Sequence, residues 1–237
     1  MSLSNLLSLE WNKFRKLRLL FYSFCLFAGY FIFLLVFGTI NKSTQEFHAT
    51  LAVGMLKISV YFTQLFVLPC YLYFLYLFYQ TEIEVSNFDR YKLQKFPYVS
   101  VFFLKVVLGF TVSIVCTFLT VFLLFFSQRL DIHLPISTLF DHLIPLLLGQ
   151  IIQILFAFSL FQFMKSNYVV LLFLFLFSLL SSFDLPYNLF YFVSKAINVQ
   201  TFQGEIYSFV PYMKVGTSGL FLVVLSLLLV AFKTKRV

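Results

Sequence analysis

Six long apolar runs separated by short polar segments constrain this chain more than any other feature. The hydrocarbon of a bilayer is about 30 Å thick, so a helix needs about 20 apolar residues to cross it. Within lipid, backbone amides and carbonyls must pair inside the segment, which makes runs of this kind helical. Hydrophobic residues fill 61% of 237 positions and charged residues only 11%, against about 25% charged in a soluble domain. The longest polar stretch is about 20 residues, too short for a soluble catalytic domain.

The expected fold is an all-α membrane protein with a single transmembrane domain over residues 1–237. Six spans are placed at 19–40, 57–79, 99–127, 143–164, 168–183 and 216–232. Residues 1–18 precede them as an amphipathic helix lying in the membrane plane. Leu3, Leu6, Leu7, Trp11, Phe14 and Leu17 recur there at helical steps, with Lys13, Arg15 and Lys16 among the polar positions. Such a helix buries its apolar stripe at the headgroups and leaves its cations in water, so Trp11, Lys13, Arg15 and Lys16 are the expected anchor. The sole tryptophan, Trp11, suits an interface. A basic cluster that follows this stretch, and a long run with no small-residue cleavage site, do not read as a signal peptide. Residues 80–98 form the main internal polar segment, and 184–215 an outer segment of interfacial or re-entrant character.

Two lysines fall inside apolar runs. Lys57 is expected to reach outward if the second span starts near Ile58. Lys105, one to two turns inside the third span, is expected to reach the headgroups. Orientation follows from the remaining cations. With six spans, both termini share a side with residues 80–98 and Lys165, and that side carries eleven lysines and arginines against four on the other. The positive-inside rule then places both termini in the cytoplasm. The net charge of +8 suits a cationic rim beside anionic lipid, and no nucleic-acid partner is expected.

Enzyme motifs are missing from the sequence. It contains no GxxxxGK[ST] phosphate loop, no HExxH and no GxSxG. Cys25, Cys70 and Cys116 lie within apolar runs and have no ligand spacing, so they read as small buried hydrophobes. Asp131, His133, Asp141 and His142 offer metal-type donors on the outer side, but their spacing fits no template, and loop polarity explains them. Gln64, Gln150 and Gln153 lie in the spans. Amides in hydrocarbon seek partners, so they serve either as bonds between helices or as a polar pathway lining. No catalytic, cofactor-binding or metal residue is expected in this chain.

Residues 80–98 are the most informative piece. Glu82 and Glu84 close the second span, Ser86 and Asp89 form a capping-box pattern, and Phe88, Asp89, Arg90, Tyr91, Lys92 and Leu93 follow before Pro97. A short helix with both charges and aromatics is suited to docking in a cleft of another protein. The order of a Glu at the end of span two, a short helix, a proline and then Lys105 in span three resembles the membrane subunits of ABC-2-type transporters. It is similar to the bacterial group that exports lantibiotics and phenol-soluble modulins. The N-terminal Glu10-Trp11-Asn12-Lys13-Phe14-Arg15 fits the same family.

The resemblance implies two separate ATPase subunits, which would hold ATP and magnesium and push on residues 86–96. It also implies a second copy or relative of this chain, a bacterial cell membrane, and an amphipathic peptide or lipid-like cargo moved outward. The coupling residues would be Glu82, Glu84, Phe88, Asp89, Arg90, Tyr91, Lys92 and Leu93. The alternative is a non-catalytic membrane accessory or sensor protein; an integral membrane enzyme lacks its intramembrane acids or nucleophile.

Overall fold

The computed structural model describes residues 3–42, 66–84, 98–125, 136–164, 166–182, 198–202, 205–209 and 212–234. Among these residues there are seven helices: α1 (Leu3–Lys16), α2 (Leu19–Lys42), α3 (Leu68–Glu84), α4 (Tyr98–Phe125), α5 (Ile136–Phe161), α6 (Asn167–Ser182) and α7 (Tyr212–Thr234). Strands β1 (Asn198–Phe202) and β2 (Glu205–Phe209) pair antiparallel between α6 and α7. Three helices hold stretches long and apolar enough to cross a membrane: Leu19–Phe37 in α2, Val99–Leu119 in α4 and Gly216–Lys233 in α7. Shorter apolar stretches occupy Leu147–Phe161 in α5 and Asn167–Phe177 in α6. The 16 residues of α6 extend only about 24 Å at 1.5 Å per residue. This is a helical chain of membrane character.

Helices α2, α4 and α6 start and stop within two residues of the bounds the apolar runs predict. Helix α5 differs: it starts at Ile136 rather than near Leu143. Pro135 precedes it directly in sequence, and proline is well suited to the entry of a helix. Asp141 and His142 therefore sit on the backbone of α5 rather than in a loop. The hairpin is the other departure. Five-residue strands joined through Gln203-Gly204, with Phe202 opposite Glu205, sit within the segment read as interfacial or re-entrant. The signal for them is short alternating runs around a two-residue link ending in glycine. The first half of the expected second span, with Lys57, lies outside the described residues.

Helix α3 runs through the middle of the packing. Tyr71, Leu72, Leu75, Tyr76, Phe78 and Tyr79 are all buried, so α3 meets neighbours on most of its circumference. Its proline, Pro69, stands in the first turn of α3, directly after a π-helical turn at Phe66 and Val67. Phe14 of α1 meets Phe78 edge-on at 5.3 Å, Tyr79 meets Phe158 of α5 at 6.3 Å, and Phe102 of α4 meets the same Phe158 at 6.3 Å. Phe232 of α7 lies 6.3 Å from Phe163, just past α5. These contacts gather α1, the ends of α3, α5 and α7, and the start of α4 at one end of the bundle. A second cluster joins Phe156 of α5, Phe177 of α6 and Leu222 of α7.

Close approach needs small residues where lipid supplies no squeeze between helices. The Tyr71 hydroxyl donates to the Gly109 carbonyl at 2.5 Å. A Cβ on Gly109 would come within 3.0 Å of both Leu75 methyl groups. Glycine thus lets α4 sit against α3. At the periphery the helices are apolar outward: Phe21, Phe24 and Ile32 on α2, Leu172 and Phe175 on α6, and Leu220 and Leu228 on α7 are exposed. A soluble monomer rarely presents so much contiguous apolar surface; hydrocarbon or another apolar helix accommodates it at no cost.

The corner between α1 and α2 turns at Arg18, which has φ of 54°. Its amide donates to the Arg15 carbonyl, and its carbonyl accepts from the Tyr22 amide, both at 3.0 Å. A left-handed residue is favourable for glycine and unfavourable for β-branched side chains. Arg18→Val should therefore lower stability by about 1–2 kcal/mol, while Arg18→Gly should be tolerated. Thermal unfolding of the purified variants in detergent checks this; equal midpoints for the two variants would show that the corner is unstrained.

Candidate functional site

Helix α1 buries one row of its surface, and that row is not wholly apolar. Leu6, Glu10 and Phe14, at four-residue steps, are each 0% exposed. Leu7 and Trp11 lie to the side and remain exposed, as do Arg15 and Lys16. The helix thus turns Leu6, Glu10 and Phe14 toward α2 and α4, which it packs against, and presents Trp11 and its cations outward.

Glu10 is the centre of the site. Its Oε2 accepts from Lys105 Nζ at 2.5 Å, and its Oε1 accepts from Lys13 Nζ at 3.1 Å. Lys105 is 1% exposed, and its ammonium also lies 3.8 Å from the centroid of the Phe78 ring. Two charges without a partner would be expelled from such a place; as a hydrogen-bonded pair over an aromatic face they are held. The expectation that Lys105 reaches the headgroups is corrected here. Its position seven residues past Tyr98, about 10 Å along α4, permits either outcome. A carboxylate 95 residues away in sequence decides it.

The pair ties together three elements: α1 through Glu10, the end of α3 through Phe78, and the start of α4 through Lys105. Phe14 meets Phe78 edge-on, and Trp11 stacks on Phe14 at 6.3 Å. Residues 85–97 join the end of α3 to the start of α4. A load applied to that connection meets a joint with an ionic pin and stacked rings.

A second polar group lies between α4 and α5. The Gln150 carbonyl oxygen accepts from Ser113 Oγ at 3.0 Å and from Thr117 Oγ1 at 3.2 Å, and its amide nitrogen donates to Thr117 at 3.1 Å. Gln153, one turn on, is 1% exposed, and neither side-chain amide atom has a hydrogen-bond partner among the described residues. Near the end of α5, Ser159 donates to the Phe156 carbonyl, and Gln162, just past the helix, donates to the Ser159 carbonyl.

Glu82 and Glu84 close α3 on its backbone. Phe88, Asp89, Arg90, Tyr91, Lys92, Leu93, Gln64, Asp131 and His133 lie outside the described residues. Among the described residues no group of three or more His, Cys, Asp or Glu is placed to hold a metal. Glu10 is the functional candidate that composition and spacing miss. Its signal is a lone acid at an i, i+4 step between Leu6 and Phe14, on the face that turns inward. Comparison with family models, curated proteins and solved structures gives no match. The described geometry therefore defines a class only: a helical protein of membrane type with a buried ion pair at one end of its bundle.

Proposed function

We propose that this chain is the membrane-embedded subunit of an ATP-driven exporter, powered by separate ATPase subunits that grip residues 86–96. The observation that carries the reading is the Glu10–Lys105 pair, with Phe78 beneath it, clamping both helices that flank that segment. A short loop between two spans transmits force only if its flanking helices are braced against each other. Here they are braced by charge, aromatic packing and an extra helix. The cargo that suits walls this rich in Phe and Leu is amphipathic, a cytolytic or antimicrobial peptide or a lipid-like molecule, moved out of the cell or the membrane. In this reading the chain crosses a bacterial cell membrane six times, keeps both termini in the cytoplasm and pairs with a second copy or relative. ATP and magnesium bind the partner ATPase, and this chain performs no covalent chemistry.

The test is charge reversal in the docking segment. The double variant Asp89→Arg, Arg90→Asp should insert normally, accumulate to wild-type level and lose most of a co-purifying ATPase. Retention of the ATPase by that variant would refute docking through this segment. Recovery of no nucleotide-hydrolysing companion with the unaltered chain would assign it instead to a membrane accessory or sensor role.

A further inference from the structure

The corner between α1 and α2 turns positive charge outward. Residues 1–22 contain one acid, Glu10, and it is buried with Lys105 and Lys13 on its oxygens. Arg15, Lys16 and Arg18 are exposed, and among the described residues no ion pair joins them to an acid. Arg18 is also the one non-glycine residue with positive φ among the described residues. Glycine is the ordinary occupant of such a position, and an unfavourable backbone kept beneath a charged side chain points to a use for that side chain. The Arg18 amide donates to the Arg15 carbonyl, and the Tyr22 amide donates to the Arg18 carbonyl. The two guanidiniums are thus rooted a single turn apart. Rings flank them in chain order: Trp11, one turn before Arg15 on α1, is 42% exposed, and Tyr22 is 45% exposed.

We infer that this corner binds the phosphate of an anionic phospholipid between Arg15 and Arg18, with Trp11 and Tyr22 against its glycerol and upper acyl chains. A guanidinium offers phosphate oxygens a fork of two N–H groups, which an ammonium does not. Trp and Tyr rings favour the boundary between headgroups and hydrocarbon. The apolar stretch of α2 begins at Leu19, directly after Arg18, so the two arginines stand where headgroups begin. A free anion would match the guanidiniums; a lipid matches the exposed rings and the start of a span as well. The general anchor expected over Trp11, Lys13, Arg15 and Lys16 is thereby narrowed to a site. Lys13 is taken from it by Glu10, and Arg18 is added. Only the membrane character of the chain is needed for this; the transport reading is not.

Trp11 is the only tryptophan of the chain, so its fluorescence reports on this corner alone. The full-length protein is placed in phosphatidylcholine nanodiscs carrying a small fraction of phosphatidylglycerol or of phosphatidylcholine, brominated on the upper acyl chain. Each basic residue beside anionic lipid contributes about fivefold in preference, so the brominated anionic lipid should half-quench Trp11 at a mole fraction about tenfold lower than the neutral one. The double variant Arg15→Gln, Arg18→Gln should lose that preference. Lys16→Gln, on a different face of α1 from Trp11, should keep most of it. Equal quenching by the two lipids in the unaltered chain overturns the proposal, as does a preference that the double variant keeps or that Lys16→Gln abolishes. Should the double variant not accumulate, competition on the unaltered chain decides. Unbrominated phosphatidylglycerol should restore the fluorescence, and inorganic phosphate should not. Recovery with inorganic phosphate would assign the guanidiniums to a free anion, and no recovery with phosphatidylglycerol would show unspecific quenching; either result overturns the lipid site.

Discussion

Glu10→Ala should destabilise the folded bundle by about 3–5 kcal/mol, the cost of leaving a buried cation without its partner. Lys105 is 1% exposed, its ammonium lies over the Phe78 ring, and its Nζ donates to Glu10. The loss should appear as a lowered midpoint in denaturant or thermal unfolding of the purified protein in micelles. Lys105→Met together with Glu10→Leu should recover most of it, because an apolar pair of similar volume removes both desolvation costs. Lys13→Ala should matter little by comparison, since Lys13 is partly exposed and Glu10 keeps its main partner. A loss below about 1 kcal/mol for Glu10→Ala would place the pair in the range of a surface bridge, and the joint at α1, α3 and α4 would not be held by charge. In cells the same variant should weaken any function that needs residues 85–97 braced, even where the protein still inserts.

Phe158→Ala should be the next most damaging change. Phe158 is 0% exposed, and its ring meets Tyr79 of α3, Phe102 of α4 and Phe161 of its own helix. Removing it opens a cavity where three helices converge. In lipid the transfer part of the usual Phe→Ala loss shrinks, because hydrocarbon is as apolar as the core. The cavity part stays, at about 2 kcal/mol for a void approaching 100 Å³. Phe158→Leu should retain about half of that. Unfolding of both variants in the same detergent measures the difference. Equal stability of the alanine variant and the unaltered chain would mean that α3 and α5 repack freely, and that this end of the bundle is not a rigid unit.

Most of what the structure shows about element placement was readable from apolar run length. Helices α2, α4 and α6 follow their runs closely because a bilayer demands continuous helix and fixes its length. The errors fall where that rule stops applying. Helix α5 continues two turns beyond the apolar run through Asp141 and His142, since helix geometry does not end where hydrophobicity does. The hairpin at Asn198–Phe209 is built from short half-apolar segments whose pattern is weak beside the long runs around it. Lys105 was visible as a misplaced charge, but its resolution was not.

The candidate site divides the same way. The amino-acid order alone determined that the chain is helical and of membrane character, where its main apolar helices lie, and which polar residues sit among them. Those properties depend on composition and on spacing within about 20 residues, which the hydrocarbon thickness reads directly. Only the tertiary structure decided that Glu10 is buried, that it finds Lys105 across 95 residues, that Gln150 is satisfied by α4, and that Gln153 is not. Pairing energies act over a few ångströms in space and carry no trace of separation along the chain, so no local pattern announces which charge will meet which.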